Sequence, residues 1–371
     1  MKFLIVDSYY QGFLDYFRKT NPLLKNESYD IQLNSLFERF FGTGDYYSYH
    51  LKSLGHQAEE YIVNDEILQR RWAEENNIYI TKNSLISKLQ MYPYIHRYLG
   101  RPLWIQQIVI AQIQKFKPDI IYVQDLSILN TDTLKEVKGI CKLLVGQIAS
   151  PLPSKKNLEQ FDLILTSFPH FVKRFREMGI KSEYFKIGFE TRLNKIIKPC
   201  KKIYNVTFIG SFSPLHRERI KFLEEISSLI PIDVWGSGIN YLSINSALHK
   251  KYHGKAWGLD MYKIIAQSKI VINSHIDVAE DYANNMRLFE TTGMGTMLIT
   301  DNKKNLSDLF ETGKEIVVYE SPSDLTRKIK YYLDRERERE KIAKKGQMRT
   351  WKSHSYKIRM KELIQIVKKY L

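Results

Sequence analysis

The stretch Asn284-Asn285-Met286-Arg287-Leu288-Phe289-Glu290-Thr291-Thr292-Gly293-Met294-Gly295-Thr296-Met297-Leu298-Ile299-Thr300 decides how this chain folds. Polar residues open it, an amphipathic run follows, two glycines close that run, and an apolar segment ends it. That is the order of a helix start, a helix stop and a buried strand. A helix start offers unpaired N–H groups and a positive dipole end to an anion such as pyrophosphate. Glu290, inside the helix, is suited to accept hydrogen bonds from a ribose diol, and Arg287, three residues earlier, falls on the same face. On spacing alone the two residues also read as an ion pair on a helix surface.

Outward from this unit, short β-rich runs alternate with helical patterns along the whole chain, the sequence form of a parallel α/β sheet with crossover helices. The N-terminal half carries expected strands at Lys2–Asp7, Ala58–Val63, Asp119–Gln124, Leu143–Ile148, Phe161–Thr166 and Glu183–Ile187. Between the last two, Phe168, Phe171, Val172, Phe175 and Met178 recur at helical spacing, with Ser167 as the expected cap and Gly179 as the stop. Lys195–Lys202 is lysine-rich, contains Pro199 and has no apolar period, so it is expected to be a linker. The same grammar then restarts with strands at Asn205–Ile209, Asp233–Trp235, Ile270–Asn273, Thr296–Thr300 and Glu315–Tyr319. Two Rossmann-like, doubly wound domains are expected over residues 1–194 and 203–350, followed by a C-terminal helix over 351–371. In that last segment Met360, Leu363, Ile364, Val367 and Leu371 form one helical stripe, which must pack on another element and would do so by crossing back to the first domain.

A chain of 371 residues, 43% hydrophobic and 26% charged, is long enough for two cores and far from the composition of a disordered protein. Its two cysteines, Cys141 and Cys200, make neither a disulfide framework nor a zinc spacing, which fits a reducing compartment. Met1–Asp7 reads as a first strand and not a leader, and no run approaches the ~18 apolar residues that span a bilayer. A cytoplasmic protein is expected, at most peripheral at the inner membrane face. The net charge of +16, from 57 Lys+Arg against 41 Asp+Glu, favours an anionic partner: nucleotide phosphates, acidic headgroups or nucleic acid. Nucleic acid is disfavoured, because no helix-turn-helix, RNP-type or zinc-finger pattern accompanies the charge. The alternating acids and bases of Asp334–Lys341 read as a solvated helix face.

A second candidate site is Gly210-Ser211-Phe212-Ser213-Pro214-Leu215-His216-Arg217, directly after a strand. Glycine permits close backbone approach to a phosphate, and Arg217 or Arg219 would supply the neutralising charge, while His216 reads equally as a ligand or a structural histidine. Metal is not expected: there is no Asp-x-Asp, and His275 with Asp277 is an isolated pair.

The Asn284–Thr296 pattern resembles the donor-binding helix of GT-B glycosyltransferases, and is most similar to the CgeB-like (spore maturation protein-type) family with its Asn-Asn-Met-Arg-x-x-Glu-x-x-Gly-x-Gly-Thr run. Phe41–Asp45 with Tyr47-Ser48, Leu54–His56, Gly146–Pro151, Ser167–Phe171, Asn273–Asp277 and Gly346–Arg349 extend the resemblance over nearly the whole chain. It implies a GT-B fold, with two domains facing across a cleft, and transfer of a sugar from a UDP-, GDP- or dTDP-sugar donor, with no tightly bound cofactor. The acceptor would be a saccharide, a lipid-linked saccharide or another hydroxyl compound, in bacterial surface polysaccharide or glycoconjugate synthesis. Donor contacts are expected from Gly210, Ser211, His216, Arg217, Lys255, Asn284, Asn285, Arg287 and Glu290. Lys255 lies in His253–Gly258, where such enzymes seat the base; Trp257 there is either a stacking partner or core. Arg217 would stabilise the departing diphosphate. An inverting transfer needs a base for the acceptor hydroxyl, for which Asp45 comes first, then Asp7, with His170 a further choice. Asp45 reads equally as a helix cap. Related retaining enzymes carry two glutamates flanking this helix start. Glu290 matches the second, but Tyr282 stands where the first would be; Glu280 and Asp281 beside it are partial substitutes, so the retaining mechanism is not simply imported and inverting and retaining transfer both stay open. A phosphorylase or a nucleotide-sugar epimerase is the alternative reading of the same motifs.

Overall fold

The computed structural model describes residues 1–81, 89–90 and 100–371, apart from the side chains of Leu215 and Asp277. The chain divides into two compact units, one made of Met1–Phe185 with Met360–Leu371, the other of Lys186–Arg359.

In the first unit β1 (Lys2–Asp7), β2 (Gln57–Ile62), β3 (Ile120–Val123), β4 (Leu143–Gln147), β5 (Leu163–Thr166) and β6 (Ser182–Tyr184) form one sheet. Its order is β2-β1-β3-β4-β5-β6, and every pairing is parallel. The second unit repeats the design with β7 (Tyr204–Ile209), β8 (Asp233–Trp235), β9 (Ser268–Asn273), β10 (Met297–Asp301) and β11 (Val317–Tyr319). These pair in the order β11-β10-β9-β7-β8, again all parallel. Central strands such as Phe3–Val6 and Ile270–Ile272 are buried on both faces, which is why they read as continuous apolar runs rather than alternating ones. Each strand expected from the sequence is present. The largest difference is at β6, an edge strand paired on one side only, which ends at Tyr184 and not at Ile187.

The helices that carry candidate residues are α1 (Tyr46–Ser53), α2 (Pro169–Glu177), α3 (Arg217–Ser227), α4 (Leu259–Ala266), α5 (Met286–Gly293), α6 (Glu336–Ser353) and α7 (Tyr356–Lys368). The cap of α2 is Phe168 and not Ser167, because Pro169 takes the first helical position, where its missing N–H costs nothing. Gly179, at φ +78°, follows that helix in the left-handed conformation that favours glycine. Of the C-terminal stripe, Met360, Leu363 and Val367 are fully buried, whereas Leu371 lies past the helix end and is exposed. The core of the second unit runs from Val206 and Phe208 on β7, through Leu223 and Ile226 on α3, to Ile342 and Ala343 on α6.

Candidate active site

Both strand orders reverse their winding once, between β1 and β3 in the first unit and between β7 and β9 in the second. At such a reversal the crossover helices leave to opposite faces and open a crevice at the carboxyl ends of the strands, where open α/β sheets bind ligands. Most of the candidate residues lie near these two points; His170, after β5, and Lys255, after β8, do not.

In the second unit β9 ends on Asn273, whose side chain is buried and hydrogen-bonded through both its nitrogen and its oxygen. Its Nδ2 donates to Thr300 Oγ1 at 2.9 Å, and its Oδ1 accepts from Asn285 Nδ2 at 2.8 Å. Asn285 in turn caps α5, accepting the Leu288 N–H at 3.3 Å. One asparagine therefore locks the start of α5 to the end of β9, with Asn284 half-buried immediately before it. Behind the helix start, Arg287 Nη1 meets Glu290 Oε2 at 2.7 Å and Met261 Sδ at 3.1 Å, while Tyr262 on α4 donates to Glu290 Oε1 at 3.3 Å. Arg287 and Glu290 are thus an ion pair, but not a surface one: their side chains are 16% and 6% exposed. Burying such a pair has a desolvation cost that a surface pair avoids. The Nε of Arg287 is buried with no hydrogen-bond partner among the described residues.

Two residues beyond Asn273, the fully buried His275 ring places Nδ1 2.6 Å from Asp301 Oδ1, and the His275 main-chain N–H donates to the same carboxylate at 3.2 Å. Burial works to raise the Asp301 carboxyl, but the hydrogen bond and charge of His275, with Lys303 at 3.6 Å, outweigh it and hold the group below the usual carboxylate range. His275 Nε2 is buried and unpartnered among the described residues. From the sequence, His275 stands within the Asn273–Asp277 segment of the resemblance and as half of an isolated pair with Asp277, whose side chain lies outside the described residues. The signal that sequence reading missed is a His just past one parallel strand and an Asp ending the next.

Around the end of β7, Gly210 donates to Trp235 O at 2.9 Å, Phe212 N donates to Ser237 O at 2.8 Å, and Ser237 Oγ lies 3.0 Å from Ser211 Oγ. The exits of β7 and β8 run so close that a Cβ on Gly236 would meet Gly210 O at 1.9 Å, and one on Gly238 would meet Phe212 O at 2.0 Å. These two glycines matter more to the local geometry than Gly210, and sequence reasoning did not single them out. Arg219 donates to Ser211 O and stacks over Phe208, which ties it into the loop. His216 contacts Ser213 Oγ at 3.1 Å, whereas Arg217 is exposed at the first position of α3. Lys255 is exposed beside Gly254, whose carbonyl receives the Gly236 N–H at 2.9 Å; Trp257 is half-buried.

In the first unit Asp7 ends β1. Its Oδ1 accepts from Ser8 N at 2.7 Å and its Oδ2 from Thr43 Oγ1 at 3.2 Å, and Thr43 also lies 3.2 Å from Gln124 Oε1, just past β3. Ser8 Oγ donates to Asp125 at 2.8 Å, and Arg101 stands 3.5 Å from Asp125. Burial pushes the Asp7 carboxyl up to about 7, with Asp125 adding to the rise and the Ser8 and Thr43 hydrogen bonds opposing it. Asp45 occupies the cap position of α1, half-buried, but its side chain makes no cap hydrogen bond to that helix. His170 starts α2 after β5, two strands from β3, and its ring packs between Phe168 at 5.0 Å and Phe171 at 4.8 Å. Among the described residues there is no group of three His, Cys, Asp or Glu that could hold a metal.

Residues 217–365 match the model of the family described as "Glycosyl transferase-like", a span that opens on Arg217 and takes in His275, α5 and Asp301. Solved structures align over the full chain. Sucrose-phosphate synthase from Thermosynechococcus elongatus superposes with a TM-score of 0.59 at 9% identity, covering 100% of this chain and 98% of that one. Anabaena HepE, in complex with UDP and glucose, gives 0.59 at 12% identity with 100% of both chains covered. The chain has the GT-B glycosyltransferase fold. A glycosyltransferase from Rickettsia africae ESF-5 adds a third case, at 0.58 and 15% identity over 100% of this chain and 98% of that one. No curated protein matches the chain. These likenesses give the chain a GT-B fold and a glycosyl transferase-like segment over 217–365; neither bears on the CgeB-like resemblance.

Proposed function

We propose that the chain transfers a sugar from a nucleotide-sugar donor, bound on the second unit, to a hydroxyl of a saccharide or lipid-linked acceptor in bacterial surface polysaccharide or glycoconjugate synthesis, as a CgeB-like enzyme. The observation that carries this reading is the α5 start, locked to β9 by Asn285 and backed by the buried Arg287–Glu290 pair. The oriented N–H groups of that helix end attract the donor diphosphate, and Arg287 and Glu290 supply the polar groups for the rest of the nucleotide. Arg217 neutralises the diphosphate as it leaves, a task for a charge that is preorganised in the transition state. This arrangement lets cationic side chains and a helix dipole take the place of a metal ion.

For the acceptor, the base we favour is Asp7. A carboxyl held near 7 combines the right protonation state with useful basicity at neutral pH. Two orienting hydrogen bonds and a place at the sheet's winding reversal support the same role. An anionic membrane surface, where a lipid-linked acceptor resides, is the proposed site of action. HepE was crystallised with UDP-glucose, which makes UDP-sugars the first donors to try.

A thermal-shift series with UDP, GDP, dTDP and CMP tests the reading. A nucleotide at about 100 times its dissociation constant raises stability by roughly 2.7 kcal/mol. One nucleoside diphosphate should stabilise the chain, release of that diphosphate from its sugar conjugate should require acceptor, and Glu290→Gln should abolish both. If none of the nucleotides shifts the transition, the proposal fails. If sugar 1-phosphate or an epimerised donor is formed instead, the phosphorylase or epimerase alternative holds.

A further inference from the structure

Helix α6 changes character along its length. Its first turns, Glu336 to Glu340, alternate acid and base, whereas residues 341–353 contain Lys341, Lys344, Lys345, Arg349 and Lys352 and no acidic residue. At 3.6 residues per turn, Lys341, Lys344, Lys345, Met348, Trp351 and Lys352 share one face, opposite the core-facing Ile342, Ala343, Gly346 and Thr350. That face is turned to solvent: all four lysines are exposed, Met348 is 59% exposed and Trp351 39% exposed. None of the four lysines forms an ion pair with a described residue, although Lys344 lies 5.5 Å over the Trp351 ring and donates to Gln347. Arg349, by contrast, is turned aside to Leu309 O and Glu315.

We infer that this face of α6 is the surface by which the protein docks on an anionic lipid bilayer, a conclusion that rests on the membrane reading above and assigns it to one helix. The chemistry favours lipid over other anions. A cluster of four to eight bases on a helix is the pattern that anionic headgroups attract, each base near the surface contributing about 1 kcal/mol. An apolar Met at the centre of the cluster and a Trp at its flank are the side chains that gain from the boundary between headgroups and acyl chains. An exposed methionine ringed by unpaired lysines has no comparable gain on a purely polar polyanion. Because the opposite face of α6 packs into the second-unit core, the helix docks as part of that unit and does not insert alone.

Flotation of the full chain on phosphatidylglycerol-containing vesicles, on phosphatidylcholine vesicles, and with random duplex DNA as competitor tests this. Wild type should float with the acidic vesicles at low salt only. Lys341→Glu/Lys344→Glu/Lys345→Glu should lower that partition by about 100-fold or more, and Met348→Asp should weaken it with the charge cluster intact. A matched reversal in an exposed segment, Lys195→Glu/Lys198→Glu/Lys201→Glu, should change it little. Circular dichroism and the nucleotide thermal shift of each variant confirm that the fold and donor site are untouched. Equal losses from the two triple variants overturn the assignment to α6 while leaving membrane docking standing. No flotation of wild type overturns both, and displacement by DNA at lower concentration than by lipid, dependent on the same lysines, replaces the bilayer with nucleic acid as the occupant.

Discussion

Arg217 opens α3, where the positive end of the helix dipole disfavours a cation by about 0.3–1 kcal/mol. A base kept there at a cost to the helix is consistent with the role proposed for it at the diphosphate. Replacing it by alanine should leave the melting temperature unchanged or slightly higher while lowering turnover by about 100-fold; unchanged turnover would remove Arg217 from catalysis. Asp7 carries the opposite kind of signature. Its carboxyl is at about 7 in the folded chain against 3.8 ordinarily, so between these values the native state holds the proton more firmly than the unfolded one. Stability from this group is therefore present at low pH and lost as pH rises through 7. Asp7→Asn should melt higher than wild type at pH 8, by the equivalent of a few kcal/mol at most, and the difference should close towards pH 4. The same variant should lose the rise of transfer rate with pH through about 7. A stability gain without loss of activity would show that Asp7 is buried for another reason.

At the scale of elements, the second-unit site depends on two close approaches that no local pattern announces. The exits of β7 and β8 touch at Gly236, which sits at φ +153° with Gly210 O where a Cβ would be. Gly236→Ala must push these loops apart, and we expect a loss of several kcal/mol together with loss of the nucleotide thermal shift; a melting temperature within a degree or two of wild type would contradict the geometry. The other approach is between β9 and α5, made by Asn273 and Asn285. Here the sequence was informative: the polar opening of α5 and its glycine stop are visible as residue types. What it did not reveal is that Asn285 bonds backward to a strand end twelve residues earlier, or that Glu290, read as a ribose ligand or a surface partner of Arg287, is largely buried and accepts from Tyr262 as well as pairing with Arg287.

At the scale of the molecule, α7 ends in the first unit although the chain has passed through the whole second unit before reaching it. Met360, Leu363 and Val367 are each fully buried there. A chain ending at Arg359 should lose about 5 kcal/mol or more of first-unit stability, at 1.5–3 kcal/mol per large apolar side chain. Melting followed by first-unit proteolysis should register that loss, and an unchanged profile would deny α7 its structural role. Much of this architecture was legible beforehand. Strands buried on both faces must be apolar throughout, helices on a sheet must be amphipathic, and caps and stops need particular residues, so the alternation of elements, their approximate ends and the polar, capped start of α5 were written in the sequence alone. Strand order was not, because parallel pairing joins segments tens of residues apart and leaves no local trace. With strand order came everything that depends on it: which strand ends share a crevice, the meeting of His275 with Asp301, and the Thr43 bridge between Asp7 and Gln124. The raised carboxyl of Asp7 belongs to the same class, since desolvation is set by neighbours that only the tertiary structure brings together.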